Sequence, residues 1–241
     1  MNQYTNYIAG ISLVAVTGVV LAEEQVWKSQ AELGVVNTSG NSQTSTINAK
    51  INGTREEGKW RHNLQAEALR SSTSSVVSAE KYQTSGQSDY KFTETDYAFG
   101  RVNYEFVKFS GYDYQATIAG GYGKRVMNET DMTLDLEIGP GLRFFKVDPP
   151  LLPPLESDSD PFLRLAGKYL WKVSENATFT EDLSTEIGSD LTVTKSVTGL
   201  KANINTTLAM KITFTAMHTS DVPVGSKKTD TETAVTLVYS F

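Results

Sequence analysis

From Val26 onward the chain repeats one pattern, in which about a dozen residues alternate between apolar and polar and a few turn-forming residues then follow. Side chains of a strand point to opposite faces in turn, so this pattern describes strands with one apolar and one polar face. Their length is the constraint. Strands of soluble sandwiches run to about 5–6 residues, whereas a tilted strand that crosses a bilayer needs ~9–11. No segment reads as a helix, and a strand-built wall in lipid must close on itself to satisfy every edge hydrogen bond. The sequence therefore predicts an all-β fold: a closed antiparallel transmembrane β-barrel of about 12 strands.

The clearest segment sets Met132, Leu134, Leu136, Ile138, Leu142 and Phe144 against Thr133, Asp135, Glu137 and Arg143. Others are nearly as plain, such as Trp60, His62, Leu64, Ala66 and Ala68 against Arg61, Asn63, Gln65 and Glu67. The ninth and tenth segments, Ala177 to Glu186 and Leu191 to Asn203, alternate weakly. Connections give a separate test, because barrels of this kind have short turns at one end and longer loops at the other. The even-numbered connections, Glu56–Gly58, Glu94–Asp96, Asn128–Asp131, Ser174–Asn176 and Asn203–Thr206, are all tight. The longest odd-numbered ones are Ser71–Ala79, Lys146–Pro161 with its five prolines, and Ser220–Lys228. In the seventh strand Pro140 lacks an amide donor and belongs at a bulge or beyond the paired region, while Gly120-Gly121 and Gly139 to Gly141 relieve crowding or curve the sheet.

The final stretch, Thr229 to Phe241, places Val235, Leu237, Tyr239 and Phe241 on one face and stops on an aromatic residue. Chain ends usually fray into solvent, so an aromatic end suits a last strand that pairs with the first to close a barrel, with its rings at the lipid–water boundary. At the other end, Ile8 to Ala22 is a short apolar run closing on Val20-Leu21-Ala22. It reads as a secretory signal over residues 1–22, cleaved after Ala22, with the barrel over 23–241. There is no cysteine, so an exported chain of this kind is held by its sheet and not by disulfides. A net charge of −6 without a basic stripe argues against a nucleic-acid partner.

If the apolar face meets lipid, the polar face lines a lumen. Glu32, Arg61, Glu67, Asp89, Lys91, Arg101, Glu105, Asp113, Asp135, Glu137, Arg143, Arg164, Lys168 and Lys172 then point inward, with both signs present. Charges on the lipid face are costly, about 2–4 kcal/mol for Arg or Lys at the midplane, which favours such segregation. Glu181 and Lys195 fall on the lipid side by alternation, and a bulge or a rim position is needed to move them. Mixed charge leaves open whether the lumen is a narrow pore or a plug of ion pairs.

Other sites are sparse. His218, Ser220 and Asp221 invite comparison with a hydrolase triad, but neighbouring residues at one strand end point alternately apart. His62 beside Trp60 suits an interfacial position at a rim. Asp158-Ser159-Asp160 lacks the glycine and closing glutamate of a calcium loop and reads as a solvated acidic loop. No cofactor motif is present, and phosphate-cradling loops need a helix that is missing here.

Several stretches resemble the YdiY-like family of salt-induced outer-membrane proteins, a domain-of-unknown-function family: Trp27-Lys28, Ala31-Glu32-Leu33-Gly34, Gly58-Lys59-Trp60, Ala66-Glu67-Ala68, Phe109-Ser110-Gly111-Tyr112-Asp113-Tyr114, Leu134 to Gly141 and Lys227 to Thr231. The resemblance spans nearly the whole mature chain and implies a Gram-negative outer-membrane barrel tied to osmotic or salt stress. It brings no catalytic residues. The expected role is that of a small-solute pore or stress-related envelope component, in contact with outer-membrane lipid, small solutes or ions, and with the barrel-assembly machinery through the last strand. An outer-membrane lipase- or protease-type hydrolase and a scaffold presenting surface loops are the alternatives.

Overall fold

The computed structural model describes residues 27–38, 44–73, 76–108, 112–147, 158–222 and 227–241. The expected signal segment and much of the proline-rich connection lie outside them. Twelve strands follow one another around a single closed barrel: β1 (Lys28–Thr38), β2 (Thr44–Glu57), β3 (Trp60–Thr73), β4 (Val76–Lys91), β5 (Asp96–Lys108), β6 (Tyr112–Asn128), β7 (Met132–Val147), β8 (Asp158–Lys172), β9 (Ala177–Gly188), β10 (Thr192–Asn203), β11 (Leu208–Thr219) and β12 (Thr229–Ser240). Every neighbour is antiparallel.

The even-numbered connections are tight turns closed by their own backbone bonds, such as Phe92 N–H to Asp96 O at 2.9 Å and Ile204 N–H to Leu208 O at 2.8 Å. Gly58 takes a φ of 57°, the left-handed conformation that a two-residue hairpin turn requires. At the opposite end, two expected loops shrink. Residues Ser71 to Ala79 are mostly strand, because β3 runs on to Thr73 and β4 starts at Val76. Thr46 bonds Ser71 at 2.8 Å, so hydroxyl-rich sequence is accommodated in extended wall instead of loop. Likewise Lys146 belongs to β7, and Asp158 to Pro161 belong to β8. Ser220 to Lys228 keeps only part of its length as described loop.

Closure joins β1 to β12 through four register pairs, Gln30↔Ser240, Ala31↔Tyr239, Glu32↔Val238 and Leu33↔Leu237. Ser29 and Phe241 add a reciprocal pair of backbone bonds at 2.9 and 3.0 Å. The other ladders hold between ten pairs, as in β5–β6, and fourteen, as in β2–β3. The β6–β7 ladder is interrupted where Gly120 and Gly121 face Gly139 and Pro140, while Pro140 still pairs with Leu163 on its other side. The missing amide of Pro140 thus falls on a break in one ladder, inside β7 and not beyond it.

The outer surface carries the large apolar side chains, among them Leu33, Ile51, Val102, Ile138, Leu165, Ile212 and Leu237, all exposed. Aromatic residues gather at both ends. Trp60 and Tyr90 lie 5.0 Å apart near the tight turns, with Tyr239 and Phe241 at 5.7 Å, and Tyr104 stacks on Tyr114 at 6.0 Å near the loops. Such belts mark lipid–water boundaries. The buried residues are inside the barrel, and many are charged.

Candidate functional site: the barrel lumen

Three groups of ion pairs cross the lumen. Near the loop end, Arg143 is 1% exposed and meets Asp160 at 3.1 Å and Glu186 at 3.0 Å, while Arg164 reaches Glu186 at 3.2 Å. Asp160 is wholly buried and also accepts from the Ser189 amide (2.9 Å), the Ser189 hydroxyl (2.8 Å) and the Asp190 amide (3.3 Å), which ties the β9–β10 connection into the barrel mouth. Burying a carboxylate without partners is costly, and four polar atoms answer that cost here. The expectation of a solvated acidic loop at Asp158-Ser159-Asp160 is therefore corrected for Asp160. Its strand position, directly opposite Arg143 in β7, turns it inward.

Nearer the turn end, Arg61 meets Asp89 at 2.7 Å and Asp135 at 3.6 Å, and Arg125 holds Asp135 through two bonds of 2.7 and 2.9 Å. Glu137 accepts from Lys168 (2.9 Å), Gln87 (2.8 Å) and the Tyr97 hydroxyl (3.2 Å). At the rim Lys91 pairs with Glu56 at 2.6 Å. A third group lies across the closing strands. Lys211 reaches Glu32 at 3.0 Å, Lys81 reaches Glu67 at 3.3 Å and Glu232 at 3.8 Å, and Asn48 donates to Glu232 at 3.2 Å.

Aromatic rings fill one side. Tyr97, Phe99 and Phe162 are buried inside the barrel together with Ala119. Their space comes from glycines on β6 and β7. A methyl group at Gly123 would stand 2.2 Å from the Tyr97 ring, and one at Gly141 would stand 2.3 Å from the Phe162 ring. Arg61 and Arg143 lie over these two rings at 5.0 and 5.2 Å, which couples the aromatic side to the first two ion-pair groups. The expected relief of crowding at Gly120-Gly121 and Gly139 to Gly141 takes this form: Gly121 and Gly139 also bring two backbones too close for any side chain between them.

The other side is a cavity of about 540 Å³, lined chiefly by polar residues of β2, β3, β4 and of β8 to β12. Glu32, Arg61, Glu67, Arg101, Asp135, Arg164 and Lys168 of the expected inward set line it. Asp89, Glu137 and Arg143 are packed away from it in the networks above. Glu105 faces inward opposite Gln83 without lining the cavity, Lys91 and Lys172 stand at the turn-end rim, and the side chain of Asp113 lies outside the described residues. Val235, Leu237 and Tyr239 on β12, and Phe241 just past its end, are all exposed on the outer face.

Two residues need separate treatment. Lys195, placed on the lipid side by alternation, lines the cavity. The register of β10 with β9 and β11 turns Val193, Lys195 and Val197 inward and Thr194, Ser196 and Thr198 outward, so this strand's polarity is inverted. Glu181 stays on the outer face, opposite Tyr169, and no bulge moves it. Its two oxygens accept from Ser196 and Thr198 at 2.6 and 2.5 Å, and this hydroxyl pair is what makes an outward carboxylate tolerable.

The histidines are engaged elsewhere. His62 stacks on Trp60 at 5.8 Å and bonds Ser88 at 2.9 Å on the outer surface. His218 bonds Thr229 at 2.8 Å, whereas the Ser220 hydroxyl accepts from the Thr192 amide and Asp221 from the Val222 amide, so the three do not form a hydrogen-bonded relay. Among the described residues, no group of three or more His, Asp or Glu side chains is arranged to hold a metal ion.

Known proteins share this architecture. The translocator domain of autotransporter NalP from Neisseria meningitidis matches 89% of this chain and 87% of its own, with a TM-score of 0.51 and 11% identity. The NanC porin matches 89% and 98%, with a TM-score of 0.52 and 9% identity. These likenesses show the fold of outer-membrane barrels. In sequence the chain is 26% identical over 236 residues to the uncharacterized protein YdiY of Escherichia coli (strain K12), covering 98% of this chain and 91% of that one. The family model described as "Protein of unknown function, DUF481" matches residues 31–241, and the chain belongs to that family.

Proposed function

We propose that this barrel is a narrow pore for small solutes in the outer membrane of a Gram-negative cell. The observation that carries the reading is the length of the charged cavity. On β2 its lining runs from Asn48 to Glu56. Eight steps at ~3.3 Å each, tilted by roughly 40°, cover about 20 Å of an apolar band about 25 Å tall. A barrel whose interior is fully packed leaves no such passage. In this reading outer-membrane lipid surrounds the apolar face, the assembly machinery engages β12, and small solutes or ions pass along the polar side of the lumen. Service to the envelope under salt or osmotic stress is part of the same proposal.

The test is single-channel conductance of the refolded chain from Glu23 to Phe241 in a planar bilayer across a range of salt. Steady openings of small, uniform size are the expected result. A folded barrel that stays silent at every salt concentration overturns the pore and makes the ion-pair groups a plug.

A further inference from the structure

We propose that the lumen cavity is a binding station for small, multiply charged organic anions, held by Lys50, Arg101 and Lys195. The proposal deepens the pore reading and rests on a process of pairing. Most charges that line the cavity already have an opposite partner within reach: Arg61 with Asp89, Lys81 with Glu67, Lys168 with Glu137, Arg164 with Glu186 and Glu32 with Lys211. What remains unneutralised sets the selectivity. Among the described residues, Lys50, Arg101 and Lys195 line the cavity with no carboxylate in ion-pair contact, and Asp182 is the one cavity-lining acid in the same position. Arg101 makes one long contact, to the Gln87 amide oxygen at 3.4 Å. Lys81 is shared between Glu67 and Glu232, and the lining as a whole holds seven cations and six acids, so the cavity keeps a surplus of one positive charge inside a barrel whose chain carries −6.

The three sit on β2, β5 and β10, so they approach the cavity from separated parts of the wall. A monovalent anion brings one charge to a wall that presents three unpaired cations. A solute with two or more carboxylate or phosphate groups can meet two, and a guanidinium fork with two lysine ammoniums suits either group. The neighbouring wall supplies neutral donors and acceptors, Asn52, Asn63 and Gln83, for hydroxyls on the same solute. A cavity of about 540 Å³ falls in the range of small-molecule sites.

The experiment uses the refolded barrel and citrate as probe, with inorganic phosphate as the second arm. In a bilayer under a tenfold potassium chloride gradient, the reversal potential should lie on the chloride side, and citrate should interrupt the current. Calorimetry in detergent micelles should give citrate binding weakened roughly fivefold to tenfold by each of Lys50→Gln, Arg101→Gln and Lys195→Gln, and restored by Lys195→Arg. Equal competition by phosphate supports recognition by charge alone, and its failure supports recognition of carboxylates; both uphold the station. Conducting channels that prefer potassium and ignore citrate overturn it while leaving the pore standing. Citrate binding by a silent barrel upholds the station and overturns the pore. Variants that run as unfolded on an unheated gel are replaced by the charge-keeping forms Lys50→Arg, Arg101→Lys and Lys195→Arg, which must keep binding if charge is the cause.

Discussion

Arginine 143 is where the stability of the barrel mouth can be read most directly. Its guanidinium is 1% exposed and joins Asp160 at 3.1 Å to Glu186 at 3.0 Å. Replacing it with methionine keeps much of the volume and removes the charge. Glu186 retains Arg164, but Asp160 keeps only the three bonds from Ser189 and Asp190. Breaking a buried pair on one side typically costs about 3–5 kcal/mol, and those surviving donors place this case near the lower figure. At a urea slope of about 2 kcal/mol per M, the unfolding midpoint should fall by roughly 1.5 M. The assay is urea titration of the barrel refolded into vesicles, followed by tryptophan fluorescence and gel mobility. The double variant Arg143→Met with Asp160→Asn should recover part of the loss, since it removes the stranded carboxylate as well. A loss below about 1 kcal/mol for the single variant, or a double variant no better than the single, would refute the view that Arg143 neutralises a buried acid.

Three other substitutions probe the wall. Gly123→Ala pushes a methyl group into the Tyr97 ring and should cost about 1–3 kcal/mol in the same titration; an unchanged midpoint would mean that the ring has room to move. Glu181→Leu removes an outward carboxylate and should raise stability by about 1 kcal/mol, so a clear loss would show that its bonds to Ser196 and Thr198 outweigh its exposure to lipid. Deleting Phe241 removes the reciprocal bonds to Ser29 and one ring of the turn-end belt. The expected outcome is little heat-modifiable barrel in the membrane fraction of cells, and a normal yield would count against closure by that residue.

The fold could be read from the sequence because a barrel wall imposes period two over long strands, and β7 with its outward leucines and inward acids obeys it almost without exception. Strand β10 did not, since its outer face carries Thr194, Ser196 and Thr198 while valines accompany Lys195 inside. Only the register set by its neighbours resolves that ambiguity. Asp160 was hidden for a different reason: it follows a run of prolines and acids that resembles loop, and the arginine that draws it inward is seventeen residues away. Partners across the lumen, such as Asn48 and Glu232 at a separation of 184, leave no local signature at all. The inward charges could be listed from alternation, but their pairing, and hence which of them stay unpaired, depends on distances that a linear pattern does not encode.

The short join between β1 and β12 gives the wall an unequal resistance to breathing. Local opening requires breaking the hydrogen bonds between two neighbouring strands, and this junction has four register pairs and one flanking pair where the others have ten or more. Transient separation should therefore begin along this line, where the amide protons of β12 would exchange with solvent earliest. The ring then behaves as a belt with a buckle, and its slow motions have a direction fixed by where the two ends of the fold meet.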